Sequence, residues 1–457
     1  MDELTLFEQI EKLLEERNYT ALKTLLPDIN PADMAVLFEE LTPEQLIVIF
    51  RLLPKEEAAE TFVEMDPDKQ EILIKSFSDR ELKEVLDELY LDDTVDLIEE
   101  MPANVVKRIL NHSTPDARKS INELLKYPKD SAGSIMTPEY VSLKRTFTVK
   151  EAFKKIRQVG VDKETIYTCY VTDINRKLLG IVTVKQLLLA DSDATVEDLM
   201  ETNIIFANTL EDKEEVANKF DKYDLLALPV VDNEERLVGI VTIDDALDVI
   251  QEENTEDIEK IAAMLPSEKT YLKTGIFETF KNRIPWLLLL MVSSTFTGKI
   301  ISSFENSLAS CVILTAFIPM LMGTGGNAGG QSSVTIIRSL SLGDVKMGDI
   351  LKIIWKELRV SIVCAVVLAL ANFVKMMLID KGDIIASGQD PVIISLVVCA
   401  SLAATVILAK IVGCSLPILA KRVGFDPAVM ASPFITTIVD AISLVIYFGI
   451  AVQFIAF

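Results

Sequence analysis

Five long apolar segments in the second half of the chain constrain its fold more than any other feature. They cover residues 284–304, 307–323, 353–379, 391–420 and 428–457. A helix needs about 20 mainly apolar residues to cross the hydrocarbon core of a bilayer. Because lipid offers no hydrogen-bond partners, a spanning segment must satisfy its backbone internally, which favours helices. The sequence therefore predicts a membrane domain, residues 284–457, of five helices.

The last apolar segment contains a single charged residue, Asp440. A carboxylate at membrane depth is unfavourable and usually faces a bundle interior or a water-filled path. Asp440 is therefore a candidate ligand on a cation path. The alternative is a structural carboxylate that pairs with Lys410 or with another buried donor. Lys410 lies near the inner end of the fourth segment, where we expect it to snorkel to the interface.

Charge is distributed unevenly along the chain. Of its 69 acidic and 45 basic residues, only 10 acidic and 14 basic ones fall in residues 271–457, so the preceding part has a net charge of −28. An acidic surface disfavours nucleic acid and favours metal cations or simple solvation. His112 is the only histidine and the five cysteines lack zinc spacing. Histidine-based catalysis is thus nearly excluded, and we do not expect an enzyme.

The basic residues also predict an orientation in the membrane. They precede the first apolar segment, fill the second-to-third connection and recur at Lys421 and Arg422 after the fourth segment. Basic loops tend to stay in the cytoplasm. The first residues, MDELTLFEQIEKLLEE, do not resemble a signal peptide. We therefore expect cytoplasmic N-terminal domains and a C-terminus outside the cell membrane.

A twelve-residue repeat organises residues 1–130. Its positions are Leu41, Leu53, Met65, Phe77, Leu89, Met101 and Ser113. Most are followed within two residues by Ser, Thr, Asp or Pro, which start helices. Short stacked helices of this kind form a superhelical solenoid. Asp92 and Asp96, four residues apart, share one helix face, where a bridging cation would relieve their repulsion; a solvated acidic face is the alternative.

A second repeat, of about sixty residues, occupies 131–250. Val171–Thr183 and Val230–Thr242 are alike, and they divide this region into units 136–198 and 199–250. The pattern resembles a tandem pair of α+β CBS domains, which often bind adenine nucleotides. That resemblance implies a nucleotide contact at Thr242 and Asp245, where a Thr-x-x-Asp pattern is kept. The alternative is a pair without ligand that serves dimerisation.

Residues 244–265 predict one acidic connecting helix, whose apolar stripe is interrupted near Asn254. Residues 251–283 comprise the second part of this helix and an amphipathic lead-in to the membrane domain, residues 267–283. So much negative charge in front of a membrane is unfavourable unless counter-cations bind. The second apolar segment then ends in the glycine-rich run Gly323–Ser333. Pro319 can free a backbone carbonyl there, and the glycines permit close helix packing or an ion path.

The domain order and two membrane motifs resemble the MgtE family of magnesium channels. The motifs are Gly325–Ser332 and Phe425–Ala428, the latter leading to Ser432-Pro433 and Asp440. The resemblance implies a homodimer with one pore on its two-fold axis, in which Asp440 supplies the pore carboxylates. It also implies that the acidic connection is a plug helix. The residues that shape the pore would be Pro319, Gly325, Gly326, Asn327, Gly329, Ser432 and Pro433.

The same resemblance implies that cytosolic Mg²⁺ bridges acidic residues and holds the pore shut. The residues of this set are Asp92, Asp96, Asp212, Glu214, Asp224, Asp245, Asp248, Glu253, Glu256 and Asp257. In the solenoid, Asp93 could replace Asp92. Leu225 follows Asp224 where a nucleotide-binding relative can offer an aromatic ring, which disfavours ATP as a regulator.

The sequence thus predicts a multidomain protein: a helical superhelix, tandem CBS domains, a long plug helix and five membrane helices. We expect a homodimeric Mg²⁺-selective channel, with Mg²⁺ as both substrate and regulator. Two alternatives are a gradient-coupled carrier of divalent cations such as Co²⁺, Ni²⁺ or Mg²⁺, and a membrane-anchored, non-conducting sensor of Mg²⁺ or nucleotide.

Overall fold

The computed structural model describes residues 3–267, 271–305, 309, 311–430 and 432–454. The chain divides into two compact units, one up to Ile250 and one from Gln251 onward. Each unit has a hydrophobic core of its own.

Short helices make up the first part of the N-terminal unit. They are α1 (Glu3–Glu15), α2 (Tyr19–Leu25), α3 (Pro31–Glu39), α4 (Pro43–Phe50), α5 (Lys55–Val63), α6 (Pro67–Ser76), α7 (Asp79–Leu86), α8 (Leu91–Glu100), α9 (Ala103–His112) and α10 (Pro115–Leu124), with a 3-10 turn at Leu26–Asp28. Thr42 and Ser78 start their helices with capping boxes, as the sequence predicts.

The twelve-residue repeat places equivalent side chains in one continuous core. Phe38, Phe50 and Phe62 are twelve residues apart, and consecutive rings lie 6.5 and 6.1 Å apart between centroids. Phe77 joins them at 5.4 Å from Phe50. Most helices pack against the helix two positions further on. The predicted helical repeat is therefore confirmed, and it follows from this phenylalanine spacing.

The second part of the N-terminal unit is built from two equivalent α+β halves. The first contains β1 (Ser142–Lys144), α11 (Val149–Val159), a 3-10 turn (Gly160–Asp162), β2 (Thr168–Thr172), β3 (Leu178–Thr183) and α12 (Val184–Leu189); the second contains α13 (Val196–Leu199), β4 (Ala207–Asn208), α14 (Lys213–Tyr223), β5 (Ala227–Val231), β6 (Leu237–Thr242) and α15 (Ile243–Ile261). Each half has a three-stranded sheet in sequence order, with one parallel and one antiparallel pairing.

Two equivalent glycines explain how the halves fit together. A Cβ at Gly180 would lie 2.8 Å from the sulfur of Met200, and one at Gly239 would lie 2.8 Å from the sulfur of Met136. Each methionine opens one half and packs on the glycine of the other. The glycine that begins each repeated Gly-Ile-Val-Thr is thus explained by a reciprocal contact.

Helix α15 runs without a break from Ile243 to Ile261, as expected for a continuous connecting helix, and polar residues occupy the part near Asn254 where its apolar stripe is interrupted. Asn254 accepts a hydrogen bond from Arg338 (Oδ1–Nη1 3.1 Å), and its side chain is therefore held outside the helix backbone. The helix ends before Pro266, which cannot continue it.

Within its described residues, the C-terminal unit contains five helical segments that are long and apolar enough to cross a membrane: Ile276–Ser303, Val312–Ser341, Met347–Ala386, Pro391–Val423 and Pro427–Phe454. Their α-helices are α16 (Ile276–Ser303), α17 (Ile318–Ser341), α18 (Ile350–Lys375), α19 (Lys381–Ala386), α20 (Pro391–Val423) and α21 (Ser432–Phe454), with 3-10 turns at Val312–Phe317, Met347–Asp349 and Pro427–Met430 and a π-turn at Met376–Asp380. Helix α20 packs against α17, α18 and α21.

The glycine-rich run is the main departure from the sequence-based interpretation. The prediction that the second apolar segment ends at residue 323 is wrong, because α17 continues through the whole run to Ser341. Pro319 lies in the first turn of α17, where its missing N–H interrupts no hydrogen bond of that helix. Residues 306–308 and 310 at the start of this segment, and 268–270 of the lead-in, lie outside the described residues.

Candidate functional site

An acidic cluster in the N-terminal unit forms around the start of helix α8. The helix begins at Leu91, so Asp92 and Asp93 lie in its first turn, and Tyr90 before it gives no side-chain cap. Glu139, from the loop before β1, supplies the missing acceptor: its carboxylate accepts a hydrogen bond from the Leu91 N–H (N–Oε2 3.2 Å). This contact fixes a second carboxylate beside Asp92.

Three carboxylates of this cluster converge closely enough to share one metal ion. One oxygen each from Asp92, Glu139 and Glu164 lie within 4.8 Å of one another. Asp92 is 8% exposed. Among the described residues, Asp92 Oδ1 and Glu164 Oε2 are buried without a hydrogen-bond partner. Unpartnered buried carboxylate oxygens are unfavourable, and hard oxygen ligands of this kind suit Mg²⁺.

The start of helix α15 contributes further carboxylates to the same cluster. The Thr242 hydroxyl donates to Asp245 (Oγ1–Oδ2 2.6 Å), which holds the Asp245 side chain at the helix start. The charge of Asp245 acts on Asp93 and on Asp96 of α8. The predicted pair Asp92 and Asp96 and the predicted Asp245 are therefore close neighbours, and Asp93 belongs with them.

Burial and mutual repulsion change the protonation of this cluster. Burial, followed by the charge of Asp93, raises the pKa of Asp92 to about 7. Burial and the charge of Asp245 raise the pKa of Asp93 to about 7, and burial and Asp92 raise the pKa of Asp245 to about 7. Burial and Asp92 raise the pKa of Glu164 to about 9. The cluster thus holds protons near neutral pH unless a cation replaces them.

Other predicted cytosolic ligands lie elsewhere in the N-terminal unit. Asp212 caps the start of α14 by accepting a hydrogen bond from the Glu214 N–H (2.9 Å). Asp224 ends the same helix in the left-handed conformation, with φ 51°. Asp248 is exposed on α15, three residues after Asp245. Asp212 and Asp224 thus have local roles at the two ends of α14.

The C-terminal turns of α15 form ion pairs within the second unit. Lys260 donates to Asp426, in the turn before the fifth span (Nζ–Oδ2 2.6 Å), and also pairs with Glu256. Burial lowers the pKa of Lys260. The hydrogen bonds that its ammonium donates to Asp426 and Glu256 have the larger total effect, and they raise the pKa. Burial, then Asp426, raises the pKa of Asp257. Glu253 lies one turn before Asp257 on the same helix.

Asp440 lies in the ninth position of α21 and is half-buried in the membrane unit. Its Oδ1 atom is buried and has no hydrogen-bond partner within residues 311–430 and 432–454 or the other described ranges. Lys410 does not pair with it. The expectation that Lys410 snorkels is wrong, since its side chain is 9% exposed and lies 3.8 Å from Glu357 (Nζ–Oε2).

The glycines of α17 form a packing face. A Cβ at Gly325 would lie 2.7 Å from Thr405 Cγ2, one at Gly326 2.8 Å from Thr436 Cγ2, and one at Gly329 2.9 Å from Ile435 Cγ2. These glycines therefore let α17 approach α20 and α21 closely, while Asn327 is exposed. Pro433 is the second residue of α21; the Ser432 side chain lies outside the described residues.

Sequence reasoning missed three acidic residues. Glu139 and Glu164 lie in loops of the first α+β half, and no local pattern connects either to α8. Glu357 lies in the third span, and the argument applied to Asp440, a carboxylate within an apolar helix, could have found it. The neighbouring Lys356 and Arg359 concealed it, because they made this part of the segment resemble a membrane interface.

Comparison with known families gives matches along most of the chain. The profile of the MgtE divalent cation transporters matches residues 318–450. The profile of the MgtE intracellular N domain matches residues 29–130, and that of the CBS domain matches residues 132–193 and 196–252. The predicted fold class is therefore confirmed.

Two similar relatives extend over nearly the full length. The magnesium transporter MgtE of Thermus thermophilus is 36% identical over 446 residues, which cover 97% of each chain. The magnesium transporter MgtE of Bacillus subtilis is 33% identical over 458 residues, covering 99% of this chain and 98% of the relative.

Two solved structures resemble this protein over about half of its length. The cytosolic domain of the Mg²⁺ channel MgtE in complex with ATP is 38% identical, covers 53% of this chain and 99% of that chain, and gives a TM-score of 0.51. The soluble part of a magnesium transporter is 27% identical, covers 55% of this chain and 99% of that chain, and also gives 0.51.

Proposed function

Because this chain belongs to the MgtE family of divalent cation transporters, we propose that it is a Mg²⁺-selective channel that imports Mg²⁺ across the cell membrane and is closed by cytosolic Mg²⁺. The observation that carries the proposal is Asp440, a carboxylate with an unpartnered buried oxygen in a unit with five candidate spans. Such a group is unfavourable in a bilayer unless a cation uses it.

The chemistry of Asp440 suits a hydrated ion. Mg²⁺ dehydrates reluctantly and is usually held by one or two carboxylates with several waters. In a homodimer with a pore on its two-fold axis, two Asp440 side chains would face one ion path. Conduction requires binding weak enough for release, and one carboxylate from each subunit offers that better than a closed ligand cage.

The gate would be the last turns of α15. Lys260 pairs with Asp426 immediately before the turn that leads into α21, and Ile261 packs against Ile337 and Ala428. These contacts link the plug helix to the segment that precedes Asp440. In the proposed closed state they hold the cytoplasmic entrance of the path shut.

The sensor would be the acidic cluster. Without Mg²⁺ its carboxylates repel one another, and Mg²⁺ would stabilise the arrangement in which they converge. Shifting a two-state pore from 1:99 to 99:1 needs about 5.5 kcal/mol of differential binding. Several weak sites can supply this together, which would make closure steep in Mg²⁺. The set would include Asp92, Asp96 and Asp245, with Glu139 and Glu164 as further ligands.

Flux measurements in reconstituted vesicles test the proposal. Wild type should admit Mg²⁺ at low internal Mg²⁺ and close when internal Mg²⁺ is high, whereas Asp440→Ala should lose flux. Asp390→Asn, a cap residue at the start of α20, is the matched control and should conduct normally. The proposal fails if wild type carries no Mg²⁺ current, which would favour the sensor, or if flux requires a Na⁺ or H⁺ gradient, which would favour the carrier.

Closure by Mg²⁺ is tested separately. Neutralising Asp248 and Asp257 together, as the Asn variants, should leave influx active at high internal Mg²⁺ because two acidic residues of the proposed regulatory set lose their charge. Unchanged closure in this double variant would contradict the gating part of the proposal and leave the Asp440 path intact.

An adenine nucleotide is a second candidate ligand, because the similar cytosolic domain was crystallised with ATP. Thr242 would be the ribose contact. The Asp245 carboxylate is bonded to Thr242 and lies among other acids, so a triphosphate would add negative charge there. ATP binding should therefore need Mg²⁺. Equilibrium dialysis of ATP with and without Mg²⁺ checks this, with Thr242→Val as the variant that should lose binding.

A further inference from the structure

A buried ion pair in the membrane unit has no role in the path or gate described above. The Lys410 ammonium of α20 donates to the Ser332 hydroxyl of α17 (Nζ–Oγ 3.2 Å), and that hydroxyl donates to Glu357 of α18 (Oγ–Oε2 2.7 Å). Lys410 and Glu357 themselves are 3.8 Å apart, with side chains 9% and 14% exposed. One charged chain of hydrogen bonds thus joins three spans inside a single subunit.

The chemistry of this triad makes it a fixed element. A buried charge without its partner is strongly unfavourable, whereas a complete pair with its remaining hydrogen bonds satisfied is tolerated. Ser332 is 2% exposed and can satisfy both charges only from its present position on α17. Sliding or rotating α17 would break both of its bonds at once. The triad therefore sets the register of α17 against α18 and α20.

The same stretch of α17 contacts the start of the helix that bears Asp440. The next residue, Ser333, donates to the backbone carbonyl of Met430 (Oγ–O 3.3 Å), just before α21. One turn earlier, Gly329 packs against Ile435 and Val439, the latter adjacent to Asp440. Whatever fixes α17 at Ser332 consequently also fixes the first two turns of α21.

We propose that Lys410, Ser332 and Glu357 are positioning residues for Mg²⁺ permeation, which hold α17 so that it sets the place of Asp440. This inference rests on the proposed function, because it assigns the triad to the same ion path. The triad acts through α17, and its loss changes the position of the Asp440 carboxylate.

The alternative role, general stability without effect on the path, predicts different results. A purely structural pair would change the yield of folded protein and leave the concentration dependence of flux as it is. A positioning triad changes the Mg²⁺ concentration that gives half-maximal flux in the protein that does fold. Lys375 and Asp380, paired at 2.8 Å between neighbouring turns of one segment, provide a matched control.

The experiment compares Lys410→Met, Lys410→Arg, the double variant Lys410→Met/Glu357→Gln and the control Lys375→Met, each reconstituted in full length from the folded, size-exclusion-purified fraction. We expect Lys410→Met to raise the half-saturating external Mg²⁺ about tenfold. Lys410→Arg keeps the positive charge, and the double variant leaves no buried charge without its partner. In both, the half-saturating external Mg²⁺ concentration should therefore lie within about threefold of the wild-type value. Lys375→Met should match wild type.

Hydrogen exchange on the same proteins in nanodiscs reads the position of α21 without any flux. Peptides covering residues 427–440 should exchange faster in Lys410→Met than in wild type, and not in Lys375→Met. If wild type carries no flux but this exchange difference is present, the proposed channel function fails, while the conclusion that the triad holds the start of α21 in place stands. The inference is overturned if Lys410→Met has the wild-type half-saturating Mg²⁺ concentration, or if residues 427–440 of this variant exchange at the wild-type rate.

Discussion

Replacing Asp92 by Asn should stabilise the acidic cluster when Mg²⁺ is absent. The substitution keeps the size of the side chain, removes one negative charge from beside Glu139 and Glu164, and provides an amide that can donate to their oxygens. Asp92 Oδ1 has no partner among the described residues. The Asp92 carboxylate also accepts hydrogen bonds from the backbone N–H groups of Asp92 and Asp93. An Asn that keeps its carbonyl oxygen towards these groups and places its amide nitrogen at the unpartnered position therefore removes a destabilising charge and keeps these bonds.

The magnitude follows from the shifted pKa. Asp92 moves from an ordinary value near 3.8 to about 7, and about three pKa units correspond to about 4 kcal/mol. Asp92 is coupled to Asp93 and Asp245, so neutralising it also lowers the energetic cost of their charges. We therefore expect the local free energy of unfolding of α8 to rise by only about 1–2 kcal/mol, which is about 5- to 30-fold in the ratio of folded to unfolded α8.

The pH dependence has a definite sign. The native cluster keeps its protons up to about pH 7, while the unfolded chain loses them near pH 4. Since the native state binds more protons in this window, its stability is full below about pH 4 and falls as the pH rises to about 7. In the absence of divalent cations, wild type should therefore be less stable at pH 8 than at pH 5.

Hydrogen exchange of the α8 amides in the full-length protein measures this local stability, after correction for intrinsic exchange at each pH. Asp116→Asn is the matched control, because Asp116 is also the second residue of a ten-residue helix and is exposed. At pH 8 without Mg²⁺, Asp92→Asn should slow α8 exchange and the control should not. Adding Mg²⁺ should slow exchange in wild type more than in Asp92→Asn.

Two results would refute this reasoning. Exchange in Asp92→Asn that equals or exceeds the wild-type rate at pH 8 without Mg²⁺ would mean that the Asp92 charge does not destabilise α8. Equal protection of wild type and variant by Mg²⁺ would mean that Asp92 is not part of the site that binds the ion.

Two further predictions concern the membrane unit. Lys260→Gln should remove the pairing with Asp426. In the vesicle assay we expect several-fold higher flux at high internal Mg²⁺ and normal flux at low internal Mg²⁺. Unaltered closure would show that this pair is not part of the gate. Gly413→Ala should destabilise the bundle by about 1–3 kcal/mol, because the added Cβ would overlap the Gly329 carbonyl. Its melting temperature should therefore fall. Gly449→Ala is the control and should leave the melting temperature unchanged, because there is open space at its Cβ.

Periodic features of this fold could be predicted from sequence, because each periodic position has the same local cause. The twelve-residue spacing that places Phe38, Phe50 and Phe62 in one core is visible in the chain itself. For the glycine-rich run the sequence leaves two interpretations open, close helix packing and an ion path, because glycines permit both. Contacts with neighbouring helices, such as that of Gly329 with Gly413, show the close packing, and they cannot be read from the run itself.

The acidic cluster was predictable only in part. Asp92 and Asp245 lie at helix starts and Asp96 lies one turn after Asp92 on α8, and the family resemblance implied all three. Glu139 and Glu164 reach the cluster from loops, and their role depends on how the first α+β half packs against α8. Lys410 was misplaced for a similar reason: its partner Glu357 is 53 residues away in the chain, and an isolated lysine near a helix end normally indicates snorkelling.

The two candidate cation sites differ in a way that suits the two roles proposed for them. The cluster brings oxygens of Asp92, Glu139 and Glu164 within 4.8 Å of one another, so an ion there can contact several carboxylates and displace the protons they hold. Asp440 is a single carboxylate of the chain. Binding at the cluster therefore competes with protons and can be selective and slow to release, whereas binding at Asp440 must stay weak for conduction. A chain that exchanged these ligand numbers would trap ions in its path and fail to sense them in the cytoplasm.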